Sequence, residues 1–305
     1  MARLAISLLA VVALGAPAAA GQLNVVSVSP SANAVSAPRD TSIRVTFDAP
    51  VDPATVDTTS FWAFAKWSGA VEGTLEFSAG NTTVTLVPDE PLTAGESVMV
   101  ILSHAIAAAD GSPMRAGGYS WIFWTAVTPS TLVFENIDTF STRTVPSIPT
   151  TSYGGVGSDM NNDGHLDLSV INETTEDLRV YLNAGDGTGL LGPMVDPPAP
   201  LDLFASPNEP SDFNRDGNTD LCVCASAGDT VTILLGAGDG TFPSVQQLTV
   251  GNGPRGNAVL DLDGDGDIDI VNVHRFSEEI GIFLNDGTGN FPAPTLIPIG
   301  HDVFG

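Results

Sequence analysis

The nonapeptide Asp261-Leu262-Asp263-Gly264-Asp265-Gly266-Asp267-Ile268-Asp269 carries a carboxylate at every odd position and glycine at positions 4 and 6. The same frame stands twice upstream, as Asp159-Met160-Asn161-Asn162-Asp163-Gly164-His165-Leu166-Asp167 and Asp212-Phe213-Asn214-Arg215-Asp216-Gly217-Asn218-Thr219-Asp220. Successive copies start 53 and 49 residues apart. Hard divalent cations such as Ca2+ take about six to eight oxygen ligands, and side-chain oxygens at positions 1, 3 and 5 of a tight loop can converge on one ion while a backbone carbonyl at 7 adds another. Glycine at position 6 (Gly164, Gly217, Gly266) lets the chain turn with positive φ. Carboxylates crowded this closely repel one another without a cation, so the pattern predicts metal loops.

The flanks decide which kind of loop this is. An EF-hand requires Glu at position 12, and dockerins place an acid there; here position 12 is Val170, Val223 and Asn272. The closing acid sits at position 9 and opens a β run, so helix-loop-helix readings fail. Gly154-Gly155-Val156-Gly157-Ser158-Asp159 matches the start of an RTX nonapeptide, but it occurs once and puts polar Asn161 where an apolar residue belongs. After each ninth residue come two apolar runs, such as 168–171 with 178–182 and 221–225 with 231–235. Sixteen positions after it a second turn begins: Asn183-Ala184-Gly185-Asp186-Gly187, Gly236-Ala237-Gly238-Asp239-Gly240 and Asn285-Asp286-Gly287. Further strands, such as 244–250 and 257–260, bring each unit to four, and four-stranded repeats of this length predict β-propeller blades.

These residues resemble the FG-GAP/VCBS repeat family, the integrin-α-like propeller blade with a D-x-[DN]-x-D-G-x-x-D loop and a following G-D-G-T-F turn. The second unit carries Gly238-Asp239-Gly240-Thr241-Phe242 in full; the first has Gly189 in place of the phenylalanine, and the third is shifted to Asp286-Gly287-Thr288-Gly289-Asn290-Phe291. The resemblance implies about three Ca2+ ions. Their side-chain ligands would be Asp159, Asn161, Asp163 and Asp167, then Asp212, Asn214, Asp216 and Asp220, then Asp261, Asp263, Asp265 and Asp269. Backbone carbonyls of His165, Asn218 and Asp267 would complete each set. Loop three has four aspartates at positions 1, 3, 5 and 9 and adds Asp267, so carboxylate count predicts that it binds most tightly. Three units over 151–305, with an outer piece at 132–148, do not close a ring of about four to eight blades. Residues 300–305 resemble the lead-in to another loop, so the chain reads as a partial propeller cut at its C-terminus.

Upstream, segments such as 42–48, 82–87, 97–102 and 121–124 alternate or cluster apolar residues between turns, and roughly seven such strands in about 100 residues predict a β-sandwich. Val28-Ser29-Pro30, the run 46–53 (Thr-Phe-Asp-Ala-Pro-Val-Asp-Pro), the run 86–92 (Leu-Val-Pro-Asp-Glu-Pro-Leu) and Ala109-Asp110-Gly111 resemble the bacterial Ig-like domain of S-layer proteins of the SbsA type. That implies an extracellular spacer or adhesion module with no catalytic residues. The expected organisation is all-β: a signal peptide at 1–20, an Ig-like domain at 22–127, a linker or first outer strand at 128–150, and three blades at 151–305. Calcium is expected to stabilise the C-terminal part strongly and the Ig-like part little.

Charge and composition narrow the function. Ten Lys+Arg against 36 Asp+Glu give a formal net charge of -26, which disfavours nucleic acid and anionic membrane surfaces. Residues 151–305 hold 24 of the acids and 4 of the bases. Arg3, the apolar stretch 4–14 and Ala18-Ala19-Ala20 read as an export signal cleaved near Ala20, and no later stretch is long enough to span a membrane. Cys222 and Cys224 would share one strand face, poorly placed for a disulfide, and read as buried free thiols. Trp62, Trp67, Trp121 and Trp124 suit core positions or a sugar-stacking platform. His104, His165, His274 and His301 are scattered, and neither H-E-x-x-H nor G-x-S-x-G occurs. The expectation is a secreted or cell-surface, non-catalytic, Ca2+-binding adhesion protein for a protein or glycan ligand. An extracellular hydrolase or lyase is the alternative.

Overall fold

Eight short strands build the N-terminal part: β1 (Val25–Ser29), β2 (Ile43–Phe47), β3 (Phe61–Ala65), β4 (Gly69–Ala70), β5 (Gly73–Ser78), β6 (Thr83–Pro88), β7 (Ser97–Leu102) and β8 (Tyr119–Trp124). They pair antiparallel in two sheets, ordered β1-β2-β6-β5 and β4-β3-β7-β8. Alternation drives the sandwich, because successive side chains on a strand point to opposite faces. Ile43, Val45 and Phe47 of β2 and Trp121 and Phe123 of β8 enter one core between the sheets. This computed structural model describes residues 21–129, 136–143 and 147–300. The signal segment 1–20 and the lead-in at 301–305 lie outside them.

Strand β3 does not alternate. Phe61-Trp62-Ala63-Phe64-Ala65 is buried at all five positions. Phe61, Ala63 and Ala65 face the sandwich core, whereas Trp62 and Phe64, with Ile101 of β7, join a second cluster that contains Phe213, Ile233, Ile270 and Phe283. A strand apolar at every position is one covered on both faces. The outer face of the Ig-like sheet is therefore the inner face of an interface with the C-terminal half, and the two parts share a core.

That half is built from β9 (Ser152–Ser158), β10 (Asp167–Asn172), β11 (Asp177–Asn183), β12 (Leu191–Met194), β13 (Ala199–Pro200), β14 (Ala205–Ser211), β15 (Asp220–Ala225), β16 (Thr230–Leu235), β17 (Ser244–Thr249), β18 (Pro254–Leu260), β19 (Asp269–His274), β20 (Glu279–Phe283) and β21 (Thr295–Pro298). Three antiparallel blades result: β12-β11-β10-β9 with β13 on β11, then β14-β15-β16-β17, then β18-β19-β20-β21. The phase differs from the sequence reading, since the strand entering each nonapeptide belongs to that loop's own blade. Leu260 pairs with Asp269, so 257–260 opens blade three rather than closing unit two. A tight loop makes its two flanking strands neighbours before any longer connection can.

The blades stack face on face. Leu221, Val223 and Leu234 of blade two pack toward Ile171, Leu178 and Val180 of blade one. On the opposite face of blade two, Cys222, Cys224, Val231 and Ile233 join Ile270 and Phe283 of blade three. Both cysteines are buried and free, on one face as their spacing predicts. The first blade is covered on its other side by the linker. Phe140 packs its ring 4.8 Å from that of Tyr181, and the buried guanidinium of Arg179 donates to the carbonyl of Thr142. The described residues of 128–150 carry no strand, and 130–135 and 144–146, which hold much of the expected outer piece, lie outside the described residues. Among the described residues no helix is long and apolar enough to cross a membrane.

Candidate metal centre

The three nonapeptides connect the first and second strands of each blade and fold alike. The position-1 carboxylate bends back over its own loop: Asp159 accepts from the backbone N of Asp163 at 3.2 Å and of Gly164 at 2.8 Å, and Asp212 from Asp216 at 3.2 Å and Gly217 at 3.1 Å. Asp261 accepts from Gly264 N at 2.7 Å. At position 5, Asp163, Asp216 and Asp265 each accept from the N–H two residues on, at 2.9, 2.8 and 2.9 Å. The turn requires the position-6 glycines, whose φ values are +82°, +87° and +100°. In loop three, carboxylate oxygens of Asp261, Asp263 and Asp265 lie within 4.8 Å of one another, and this group can hold a metal ion. Burial, followed by repulsion from Asp265 and Asp263, raises the Asp261 carboxyl to about 6. Burial first, with Asp216 adding repulsion, does the same to Asp212, also to about 6. An all-oxygen, anionic donor set under this load matches a hard cation.

Position 9 has a structural task. Asp167 accepts from Met160 N at 2.9 Å on one oxygen and from Asn183 N at 2.8 Å on the other. Asp220 does the same with Phe213 N and Gly236 N, both at 2.8 Å, and Asp269 with Leu262 N at 2.8 Å and Asn285 N at 2.9 Å. Each therefore ties position 2 of its loop to the turn sixteen residues downstream, which is the physical content of that spacing. Burial dominates at these sites, raising Asp220 to about 8 and Asp269 to about 6. Asp269 lies outside the converging trio.

The loops also touch in series. At position 4 of loop one, Asn162 Nδ2 donates to Asn218 Oδ1, at position 7 of loop two, at 2.7 Å. Arg215, at position 4 of loop two, pairs with Asp267, at position 7 of loop three. Position 4 of loop three is Gly264, and there the Ig-like part takes the next place. A Cβ on Gly264 would stand 2.3 Å from Gly117 C and Gly118 N. His104 N donates to Gly264 O at 2.6 Å, Ser103 Oγ to Asp265 O at 2.6 Å, and Trp62 Nε1 to Gly266 O at 2.9 Å. Loop one is held as well, Asp159 N donating to Trp67 O at 2.7 Å. Between the Ig-like part and loops one and two lies a cavity of about 600 Å³ whose acids are Glu72, Asp89, Glu90, Asp159, Asp163 and Asp216.

Sequence reasoning missed Arg215 and the Ig-like contacts, although a lone base within an acidic loop and an unbroken apolar strand were visible signals. The four tryptophans form no common platform. Trp121 is in the sandwich core with Nε1 bonded to Pro30 O at 3.0 Å, Trp62 is in the shared interface, Trp67 is half-buried and Trp124 points outward.

Two family matches agree with this architecture. Residues 19–125 match the bacterial Ig-like domain family, and residues 212–272 match the FG-GAP-like repeat, a span covering loops two and three. No curated protein matches. Among solved structures, domains 1–6 of the surface layer protein SbsC align at 16% identity and TM-score 0.29, covering 92% of this chain and 51% of that one. The chain thus spans about half the length of that six-domain structure. An Agrocybe aegerita lectin with specific recognition of non-reducing terminal N-acetylglucosamine aligns at 16% identity and TM-score 0.34, covering 85% of this chain and 63% of that one. The periplasmic gluconolactonase of Pseudomonas aeruginosa aligns at 15% and 0.37, covering 88% and 72%.

Proposed function

We propose that this chain, a bacterial Ig-like domain joined to FG-GAP-like blades, is an exported, non-catalytic binding or adhesion protein whose loops take calcium. The observation that carries the reading is the convergence of Asp261, Asp263 and Asp265 within a loop that recurs in register twice more. Asp159, Asn161 and Asp163, and Asp212, Asn214 and Asp216, supply the matching oxygens of loops one and two. A bound divalent cation offsets the mutual repulsion of these acids and so strengthens the loops on which the blades and the Ig-like part meet. The ligand of the whole protein is a protein or glycan outside the cell.

Calcium titration calorimetry on the secreted protein tests this, with about three ions expected. Thermal melts with and without EDTA supply the second readout. A ligand that binds only the folded state stabilises by about 2.7 kcal/mol at roughly a hundredfold excess over Kd. An unchanged melt in EDTA, with no heat on titration, refutes the calcium reading.

A further inference from the structure

Arg215 is the one arginine or lysine within the three nonapeptides. It occupies position 4 of loop two with φ +56°, and its guanidinium leaves its own loop to pair with Asp267 of loop three. Two further contacts hold it there. It donates to Thr59 O at 2.6 Å, and its Cζ lies 5.9 Å from the ring centroid of Trp62. Asp265, Asp212, Asp261 and Asp57 all attract it. Two of these, Asp261 and Asp265, belong to the trio that converges in loop three.

We propose that Arg215 is a tethered counter-charge that holds down the cation affinity of the third loop. The inference rests on the calcium reading above and concerns regulation of that same site. Counted by sequence, loop three is the most acidic of the three. Counted in space, the charge of Asp267 is already matched by a guanidinium held beside the metal-binding trio by groups from another domain. A calcium ion entering that trio meets a like charge already held in place by Asp267, Thr59 and Trp62. In a half-buried setting, this repulsion reduces affinity by on the order of tenfold. Loop one has neutral Asn162 at the corresponding position, donating to neutral Asn218, and carries no such penalty. Loop three should therefore bind less tightly than its five carboxylates alone would dictate, its lead over loop one narrowed by about that factor.

The test is calcium titration calorimetry on the whole secreted chain, comparing wild type with Arg215→Met, which keeps an aliphatic contact with Trp62, and Arg215→Lys, which keeps the charge. Expected results are a roughly tenfold tightening of one site in Arg215→Met and a change within about twofold in Arg215→Lys. The gain should vanish when Asp263→Asn is added and should shrink in 1 M salt, to about a 3 Å screening length. Equal or weaker binding by Arg215→Met overturns the proposal, as does a gain that survives Asp263→Asn. If Arg215→Met does not fold, Arg215→Gln, whose amide can still donate toward Thr59 O, takes its place with the same expected tightening, and equal or weaker binding overturns the proposal. Absence of calcium binding to wild type removes the reading beneath it, an outcome distinct from calcium binding that ignores Arg215.

Discussion

The indole N–H of Trp62 donates to the carbonyl of Gly266 at 2.9 Å, joining residues 204 positions apart in the chain. Trp62 leaves the Ig-like sheet through its outer face, and Gly266 is the turning residue of the third nonapeptide loop. Trp62→Phe would keep most of the apolar contact and leave a buried carbonyl without its donor. The expected cost is about 1–3 kcal/mol, read as a lower urea midpoint with an unchanged slope.

Because Trp62, Phe64 and Ile101 share a cluster with Phe213, Ile270 and Phe283, the two parts should unfold together. This differs from the expectation that calcium stabilises the blades strongly and the Ig-like part little. Scanning calorimetry should show one transition that calcium moves as a whole. Two transitions, only one of them calcium-sensitive, would restore independent domains.

Glycine substitutions separate local strain from docking. Gly164 has φ +82° and open space around its missing Cβ, so Gly164→Ala should cost only the left-handed strain, roughly 1–2 kcal/mol. Gly264 has the same φ of +82°, but a Cβ there meets the backbone of Gly117 and Gly118 at 2.3 Å. Gly264→Ala should add overpacking of about 1–3 kcal/mol or more and expose the 116–118 turn to limited proteolysis. Equal melting of the two variants would show that the Ig-like part does not press on loop three.

Asp220→Asn tests position 9. Both carboxylate oxygens accept backbone N–H groups, and an asparagine amide offers one acceptor and turns an N–H toward the other donor. The buried mismatch should cost about 1–3 kcal/mol even in EDTA. A loss seen only with calcium present would assign the residue to metal ligation alone.

In EDTA the acids should make stability fall as pH rises. Asp212, Asp261 and Asp269 at about 6 and Asp220 at about 8 all lie above the ordinary 3.8, so the folded chain binds more protons than the unfolded one. Their contribution is fully present below 3.8 and is lost as pH climbs through 6 and then 8. His274, buried and pushed below 6.5, has the opposite sign, its contribution being lost as pH falls beneath 6.5. Between pH 6.5 and about 8.5 Asp220 therefore dominates, and melting temperature should drop across that interval. A rise there would contradict the burial cost assigned to it.

Much of this molecule is decided by residues close together in the chain. Carboxylate spacing and the position-6 glycines determine the loops because a nine-residue turn is closed by its own atoms, as Asp163 N on Asp159 and His165 N on Asp163 show. Alternation in β2 and β8 determines the sandwich, since each strand carries its own inward face. The two cysteines are free and on one face for the same local reason. Tertiary structure decided the rest. Only the fold brings Arg215 to Asp267 and Thr59, puts the backbone of Gly117 against Gly264, and gives the second face of β3 something to cover. Those relationships join residues whose separation in sequence carries no record of their closeness in space. Charge counted along the chain therefore marked loop three as the most acidic, and charge counted in space found a guanidinium already beside it.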